Sequence, residues 1–289
     1  MRKTAVVVCP GRGTYNKPEL GYLARHHADK AALVGMLDAY RLERKQEPIS
    51  ALDGAEHYSV GTYSRGDNAS PLIYGCAYAD FLTIDPNRFD VVAVTGNSMG
   101  WYIALTCGGA LSAESGMDVV NTMGTLMQDN LTGGQMVYPL VDDNWCEIAG
   151  RRDELMALLA ELKDRADCNL HVSIDLGGMM VFAGNDAGLD ALEARLPRLD
   201  DRFPMRLANH GAFHTPLLEP IAQMGKEALL QSLFTQPVIP LVDGQGTVWF
   251  PGSTDLENLR DYTLGHQVTR TYDFSHAMHA SVKEFAPDC

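Results

Sequence analysis

Positive charge is in short supply in this chain. It sets 23 Lys and Arg against 37 Asp and Glu, a formal net charge of -14. Nucleic acid and anionic membrane surfaces both demand clustered cations, so neither is an expected partner. Long apolar runs are missing as well, and no stretch reaches the length of a membrane span. Met1-Arg2-Lys3-Thr4 runs straight into a short strand ending at a Pro-Gly turn, too short and wrongly flanked for a signal peptide. The six cysteines, at 9, 76, 107, 146, 168 and 289, show no C-x-x-C spacing and no zinc-like grouping. Most are expected to be buried small hydrophobes rather than ligands or disulfides. There is no internal repeat and no low-complexity tract. Pro10-Gly11-Arg12-Gly13 is glycine-rich, but Asn16 stands where the third glycine of G-x-G-x-x-G belongs, and G-K-[ST] is lacking. A nucleotide loop is therefore disfavoured. What remains is a soluble globular chain, expected in the cytoplasm, monomeric, and without metal or cofactor.

The stretch that stands out is Thr95-Gly96-Asn97-Ser98-Met99-Gly100. The apolar run 89–94 before it reads as a buried strand, and 101–105 after it reads as the first turns of a helix. Strand, Gly-x-Ser-x-Gly and helix together form the nucleophile-elbow pattern. The elbow strains the serine backbone, and the two glycines let strand and helix pack closely. Ser98 Oγ would then stand exposed at a helix N-terminus, where N–H groups can stabilise a developing oxyanion.

Around this stretch the chain reads as α/β. Residues 4–9 read as a buried central strand. A helix is expected over 30–45 and a mostly irregular stretch over 46–69. Ser70-Pro71 reads as the cap and first position of a helix through 81. Another helix runs from 112 or 113 to about 129. From 131 to 207 the order is strand 135–140, helix 152–166, strands 170–175 and 179–183, helix 187–196, strand 202–207. β-α-β-β-α-β is the ferredoxin-like order. The expected organisation is a large α/β-hydrolase-like subdomain with a central, mostly parallel sheet (1–130 and 208–289) and an inserted ferredoxin-like subdomain (131–207). Helices at 216–233, 255–264 and 275–285 and a strand at 238–242 complete the reading.

A serine nucleophile needs a base. Among nine histidines, His26, His27 and His57 lie in polar surroundings and read as solvated. His171 lies on a strand and reads as structural. His276 and His279 lie three apart on a helix, but with no third ligand they read as a polar face. His214 is placed differently, in an irregular loop just ahead of the helix opened by Pro216, where a side chain can point into a cleft. His210 shares that loop, and position alone does not exclude it.

The ordered motifs resemble those of the malonyl-CoA:acyl carrier protein transacylase family over nearly the whole chain. Pro10-Gly11-Arg12-Gly13 is similar to its Pro-Gly-Gln-Gly opening. Gly96-Asn97-Ser98-Met99-Gly100 resembles its Gly-His-Ser-Leu-Gly elbow. Gly108-Gly109-Ala110-Leu111-Ser112 and Gly124-Thr125-Leu126-Met127-Gln128 match the segments that follow. Phe213-His214-Thr215-Pro216-Leu217 resembles Phe-His-Ser-Pro-Leu, and Leu259-Arg260-Asp261-Tyr262 with His266-Gln267 resembles the late Arg-Gln segment. The resemblance implies a ping-pong acyl transfer in fatty acid or polyketide synthesis. Ser98 would attack an acyl-CoA thioester with His214 as base. The backbone carbonyl of Gln267 would orient His214, and the backbone N–H groups of Met99 and Arg12 would form the oxyanion hole. The acyl group would pass to the phosphopantetheine thiol of an acyl carrier protein.

The departures bear on the acyl group. Malonyl-specific members carry an arginine where this chain has Met123, and methionine would line an apolar pocket instead. Asn97, Ser70 and Arg12 replace a histidine and two glutamines, and Phe213 completes the expected acyl pocket. Two readings stay open: a neutral acyl group such as acetyl, or a malonyl carboxylate met by Arg12 from the opposite wall. Docking an acidic carrier protein would need local basic residues; Arg151, Arg152, Lys163, Arg165, Arg195, Arg198, Arg202 and Arg206 fall in the small unit, where acidic residues outnumber them. The chain also stops before the family's closing strand and helix, which suggests a fragment or a sheet one strand shorter. Two other functions are compatible with the motifs: an acyl hydrolase clearing carrier proteins, and a carrier-binding partner without activity.

Overall fold

Two sheets carry the chain, described here by a computed structural model over residues 2–289. In chain order the strands are β1 (Lys3–Cys9), β2 (Phe89–Gly96), β3 (Gly134–Pro139), β4 (Leu170–Asp175), β5 (Met179–Gly184), β6 (Met205–Arg206), β7 (Leu241–Val242), β8 (Val248–Trp249) and β9 (Tyr272–Asp273). The large sheet has the order β1-β2-β7-β8. Its first three strands are parallel and β8 turns back antiparallel. Parallel strands need helical crossovers, and helices pack against the inner strand β2. Its Ala93 and Val94 are fully buried, as a two-faced parallel strand requires.

β1 is not the central strand that its apolar run suggests. It lies at the edge of the sheet, and Val8 is 43% exposed. Part of that edge is met by Asp288 and Cys289, whose backbone pairs with Thr4 and Val6. An apolar hexapeptide reports burial of its faces and says little about how many neighbours its edges have.

The small sheet has the order β6-β3-β5-β4-β9. Its first four strands are antiparallel neighbours, and helices Arg151–Lys163 and Asp186–Arg195 make the crossovers. This is the ferredoxin-like arrangement expected for 131–207. The fifth strand comes from elsewhere: β9 joins β4 in parallel, Ile174 opposite Tyr272. The far end of the chain therefore completes a sheet belonging to the inserted unit.

The helix expected to start at Pro71 begins a turn earlier and spans Gly66–Phe81, with Arg65 rather than Ser70 at its cap. Pro71 sits inside it, where it has no N–H to give the carbonyl of Asp67. That carbonyl instead accepts from Arg41 Nη1 at 2.6 Å. Arg41 is 1% exposed. Its other donors reach Asn121 Oδ1 at 2.8 Å, Asn68 Oδ1 at 2.9 Å and the Glu47 carbonyl. The stretch expected to be irregular before this helix contains two short helices, Ile49–Asp53 and Val60–Tyr63. Helix Ala113–Asp129 starts as expected, with the Ser112 side chain accepting from the Ser115 amide.

Among the described residues, no helix is long and apolar enough to cross a membrane, and no group of three or more His, Cys, Asp or Glu could hold a metal. Cys9, Cys76 and Cys107 are buried, whereas Cys146 and Cys289 are exposed and Cys168 is intermediate.

Candidate active site

The turn between β2 and helix Gly100–Cys107 is built by close backbone contact. A Cβ on Gly96 would lie 2.2 Å from the Gly100 carbonyl oxygen, and one on Gly100 would lie 2.3 Å from that of Cys9. Only glycine allows β1, β2 and the helix to meet this tightly. Between them Ser98 is held at φ 55°, a left-handed conformation that costs a serine energy and marks a functional constraint. Ser98 Oγ lies 2.7 Å from His214 Nε2.

His214 is itself in the left-handed region, at φ 58°, and is 4% exposed. Its Nδ1–H donates to the backbone carbonyl of Gln267 at 2.5 Å. That carbonyl is free because the helical run ends at Thr269, and the last carbonyls of a helix lack partners within it. A π-turn over Tyr262–His266 precedes it. The Gln267 side chain closes a ring around the pair. Its Nε2 donates to the Ser98 carbonyl at 3.0 Å, and its Oε1 accepts from Tyr102 Oη at 2.9 Å. Burial pushes the His214 pKa down from 6.5 to about 4, partly opposed by the Gln267 carbonyl. The imidazole is thus neutral at pH 7, with Nε2 free to accept a proton. Among the described residues, neither Met99 N–H nor Arg12 N–H is taken by a backbone or side-chain acceptor.

His210 points away from this pair. Its Nδ1 is 2.7 Å from Gln135 Oε1, and burial, then the nearby Arg12 charge, lowers its pKa to about 3. A buried polar chain continues from there. Gln135 Nε2 donates to Ser173 Oγ at 2.6 Å, and Ser173 Oγ donates to the Phe213 carbonyl at 2.7 Å. Two strands of the small sheet therefore hold the loop that carries His214. His27, expected in solvent, is 4% exposed and lies 2.7 Å from Asp80. His26, His57, His276 and His279 are exposed.

Beside Ser98 lies a cavity of about 30 Å³, lined by Arg12, Ser70, Met123 and Phe213 and also by Tyr102, Val120, Met127 and Val268. Asn97 does not line it. Its side chain turns toward Gly11, and its Oδ1 is buried without a partner. Tyr102, four residues after Ser98 on the helix, and Val120 and Met127, flanking Met123 at helical spacing, could have been found from periodicity. Gln135, Ser173 and Tyr272 carry no such signal. On the outer side, an open depression of about 350 Å³ lined by His171, Pro216, Glu219 and Arg270 also reaches His214. The imidazole thus stands between an inner and an outer space.

Most of the basic residues named in the small unit are paired with neighbouring carboxylates. Arg152 pairs with Asp175, Arg165 with Asp167, Arg195 with Glu161, Arg198 with Glu193, and Arg206 with Asp190 and Glu193.

The fold and the turn at Ser98 define an α/β chain of the acyltransferase-domain fold. Its solved neighbours include malonyl-CoA:acyl carrier protein transacylases from Xanthomonas oryzae (TM-score 0.77, 20% identity, 98% of this chain and 85% of that one) and Coxiella burnetii (TM-score 0.78, 15% identity, 98% and 84%). Another is the acyltransferase domain from the second module of the salinomycin polyketide synthase (TM-score 0.72, 20% identity, 99% and 62%). By sequence the chain is 28% identical over 150 residues to a non-reducing polyketide synthase of a Nectria species, covering 52% of this chain and 7% of that protein. It is 27% identical over 174 residues to a phenolphthiocerol synthesis polyketide synthase of Mycobacterium marinum, covering 60% of this chain and 8% of that protein. The chain thus spans less than a tenth of the length of these synthases. No family model matches it.

Proposed function

We propose that this chain is a serine acyltransferase that moves an acyl group between thioesters through an acyl-Ser98 intermediate. The observation that carries the reading is the aligned set of Ser98 Oγ, His214 Nε2 and the Gln267 carbonyl, with the serine on a strained strand-to-helix turn. Ser98 Oγ attacks the thioester carbonyl carbon while its proton passes to His214 Nε2. The carbon–sulfur bond breaks, and the leaving thiolate takes that proton. An acceptor thiol then gives its proton to His214, attacks the acyl-serine ester and releases Ser98. The imidazolium formed midway is stabilised by the Gln267 carbonyl, so no acidic third residue is required. The outer depression beside His214 is where a thiol arm would lie. Acyl-CoA as donor and the phosphopantetheine thiol of an acyl carrier protein as acceptor follow from what the structural neighbours are named for.

The test is intact-mass spectrometry after mixing the protein with malonyl-, acetyl- and propionyl-CoA, then adding a phosphopantetheinylated carrier protein. An acyl adduct on Ser98 that moves to the carrier is the expected result. Release of free acid at the same rate with or without carrier would instead indicate a hydrolase. Absence of any adduct from any thioester would remove both enzyme readings.

A further inference from the structure

Ser98 and Met99 share one trans peptide unit. Such a unit is planar, and its C=O and N–H point in opposite directions. Whatever fixes the Ser98 carbonyl therefore aims the Met99 N–H. That N–H is free of backbone and side-chain acceptors among the described residues, and Met99 lines the inner cavity beside Ser98. The carbonyl, in contrast, is held twice. A carbonyl oxygen has two lone pairs. The Trp101 N–H donates to one at 3.0 Å and closes the first turn of helix Gly100–Cys107. Gln267 Nε2 donates to the other at 3.0 Å.

Chemistry dictates the direction of this second bond. The Ser98 carbonyl can only accept, so the Gln267 amide must turn its NH2 group toward it. Oε1 then faces Tyr102 Oη at 2.9 Å. Oε1 can only accept as well, so the Tyr102 hydroxyl must donate. Burial raises the Tyr102 pKa, which keeps that proton in place. Tyr102 and Gln267 are both buried, and both line the inner cavity. Tyr102 stands one helical turn beyond Ser98. Without its hydroxyl, the amide loses the partner that fixes which end meets the Ser98 carbonyl. A donor at that carbonyl also polarises the peptide, and a polarised peptide has a stronger N–H. Gln267 thus reaches His214 Nδ1 with its main-chain carbonyl and the Ser98–Met99 peptide with its side chain.

We infer that Tyr102 and the Gln267 amide are positioning residues that aim and polarise the Met99 N–H toward the oxygen that gains negative charge as Ser98 is acylated. The inference rests on the reading of Ser98 as the acyl carrier. When Ser98 Oγ adds to the thioester carbonyl carbon, the electron pair of the C=O bond moves onto its oxygen, and the Met99 N–H donates to that oxyanion. The demand on the N–H passes through the peptide to the Ser98 carbonyl, the Gln267 amide and the Tyr102 hydroxyl. No proton moves along this chain; its hydrogen bonds tighten, and they are in place before reaction begins.

The test is single-turnover acylation of Ser98 by malonyl-, acetyl- and propionyl-CoA in the unaltered protein, Tyr102→Phe, Gln267→Met and the double variant. Tyr102→Phe keeps the ring at the cavity wall and removes only the donor. Gln267→Met keeps the side-chain length and leaves the main-chain carbonyl on His214. Gln267→Met should lower the maximal acylation rate by about 100-fold and Tyr102→Phe by about tenfold, each with a smaller change in KM. The double variant should be no slower than Gln267→Met, because both changes cut one chain. The infrared stretch of acyl-Ser98 labelled with carbon-13 at its carbonyl should rise in frequency in Tyr102→Phe, as a weaker donor at the acyl oxygen requires. An unmoved stretch in Tyr102→Phe overturns the inference, whether or not Gln267→Met folds. Losses that multiply in the double variant, or that fall only on KM, overturn it too, and leave the role of Ser98 standing. Failure of every thioester to label Ser98 in the unaltered protein overturns the inference together with the reading beneath it.

Discussion

Ser98 and His214 are both held at positive φ, and they face each other at 2.7 Å. Two strained residues in contact mean that the surrounding packing sets their geometry and that little reorganisation precedes reaction. Ser98→Ala and His214→Asn should each reduce acyl transfer by about 10³-fold or more, measured as the rate of carrier acylation. The depressed His214 pKa fixes the pH behaviour. With a folded value near 4 against an ordinary 6.5, the imidazole stays neutral well below pH 6.5, so kcat/KM should be flat from pH 8 to about 5. An acid limb centred near 6.5 would contradict the burial described. The same shift acts on stability. The unfolded chain takes up the proton first, so stability is full above about 6.5 and falls as pH drops toward 4. His210, lowered to about 3, works in the same direction. Denaturant midpoints should be lower at pH 5 than at pH 7, and His214→Asn should narrow that gap. At this scale the sequence was readable where a backbone demand selects a residue type, as the glycines around Ser98 show. It was opaque for His27, because its partner Asp80 lies 53 positions away.

The elements show where local rules are overridden. Pro71 reads as a helix start, yet it lies inside a helix because Arg41, on helix Ala31–Glu43, takes the carbonyl it frees. Arg41→Leu should strip partners from Asp67, Asn121, Asn68 and Glu47 together, and destabilise the chain by about 3 kcal/mol or more in urea unfolding. The turn at Ser98 depends on a different contact. Gly100→Ala drives a methyl group into the Cys9 carbonyl. A loss of about 1–3 kcal/mol is expected, with Ser98 acylation falling further than stability alone explains. Helices Gly100–Cys107 and Ala113–Asp129 could be placed from caps and periodicity because those signals are local. The edge position of β1 could not, since the neighbours of a strand are set by residues far along the chain.

For the molecule as a whole, the small sheet reaches both the loop of His214 and the turn at Ser98. Gln135 and Ser173 reach from the small sheet to the Phe213 carbonyl, and Tyr272 donates to the Gly96 carbonyl at 2.5 Å with its ring 5.4 Å from that of His214. Ser173→Ala should lower kcat for acyl transfer by about tenfold with a smaller effect on KM, because it loosens the His214 loop while Ser173 itself does not line the pocket. A change confined to KM would show that the chain of hydrogen bonds has no part in placing the base. The two-unit α/β organisation was legible from the order of strands and helices, but the joining of β9 to β4 was not. A two-residue strand carries no periodicity of its own.

That joining has a consequence in time. Ser98 and Gln267 are 169 residues apart, and β9 follows still later. As the chain is synthesised, the serine turn therefore precedes by a long stretch the Gln267 carbonyl that holds His214. On the reading of Ser98 as the acyl carrier, the serine would meet its full set of partners only after Gln267 and Tyr272 have been synthesised.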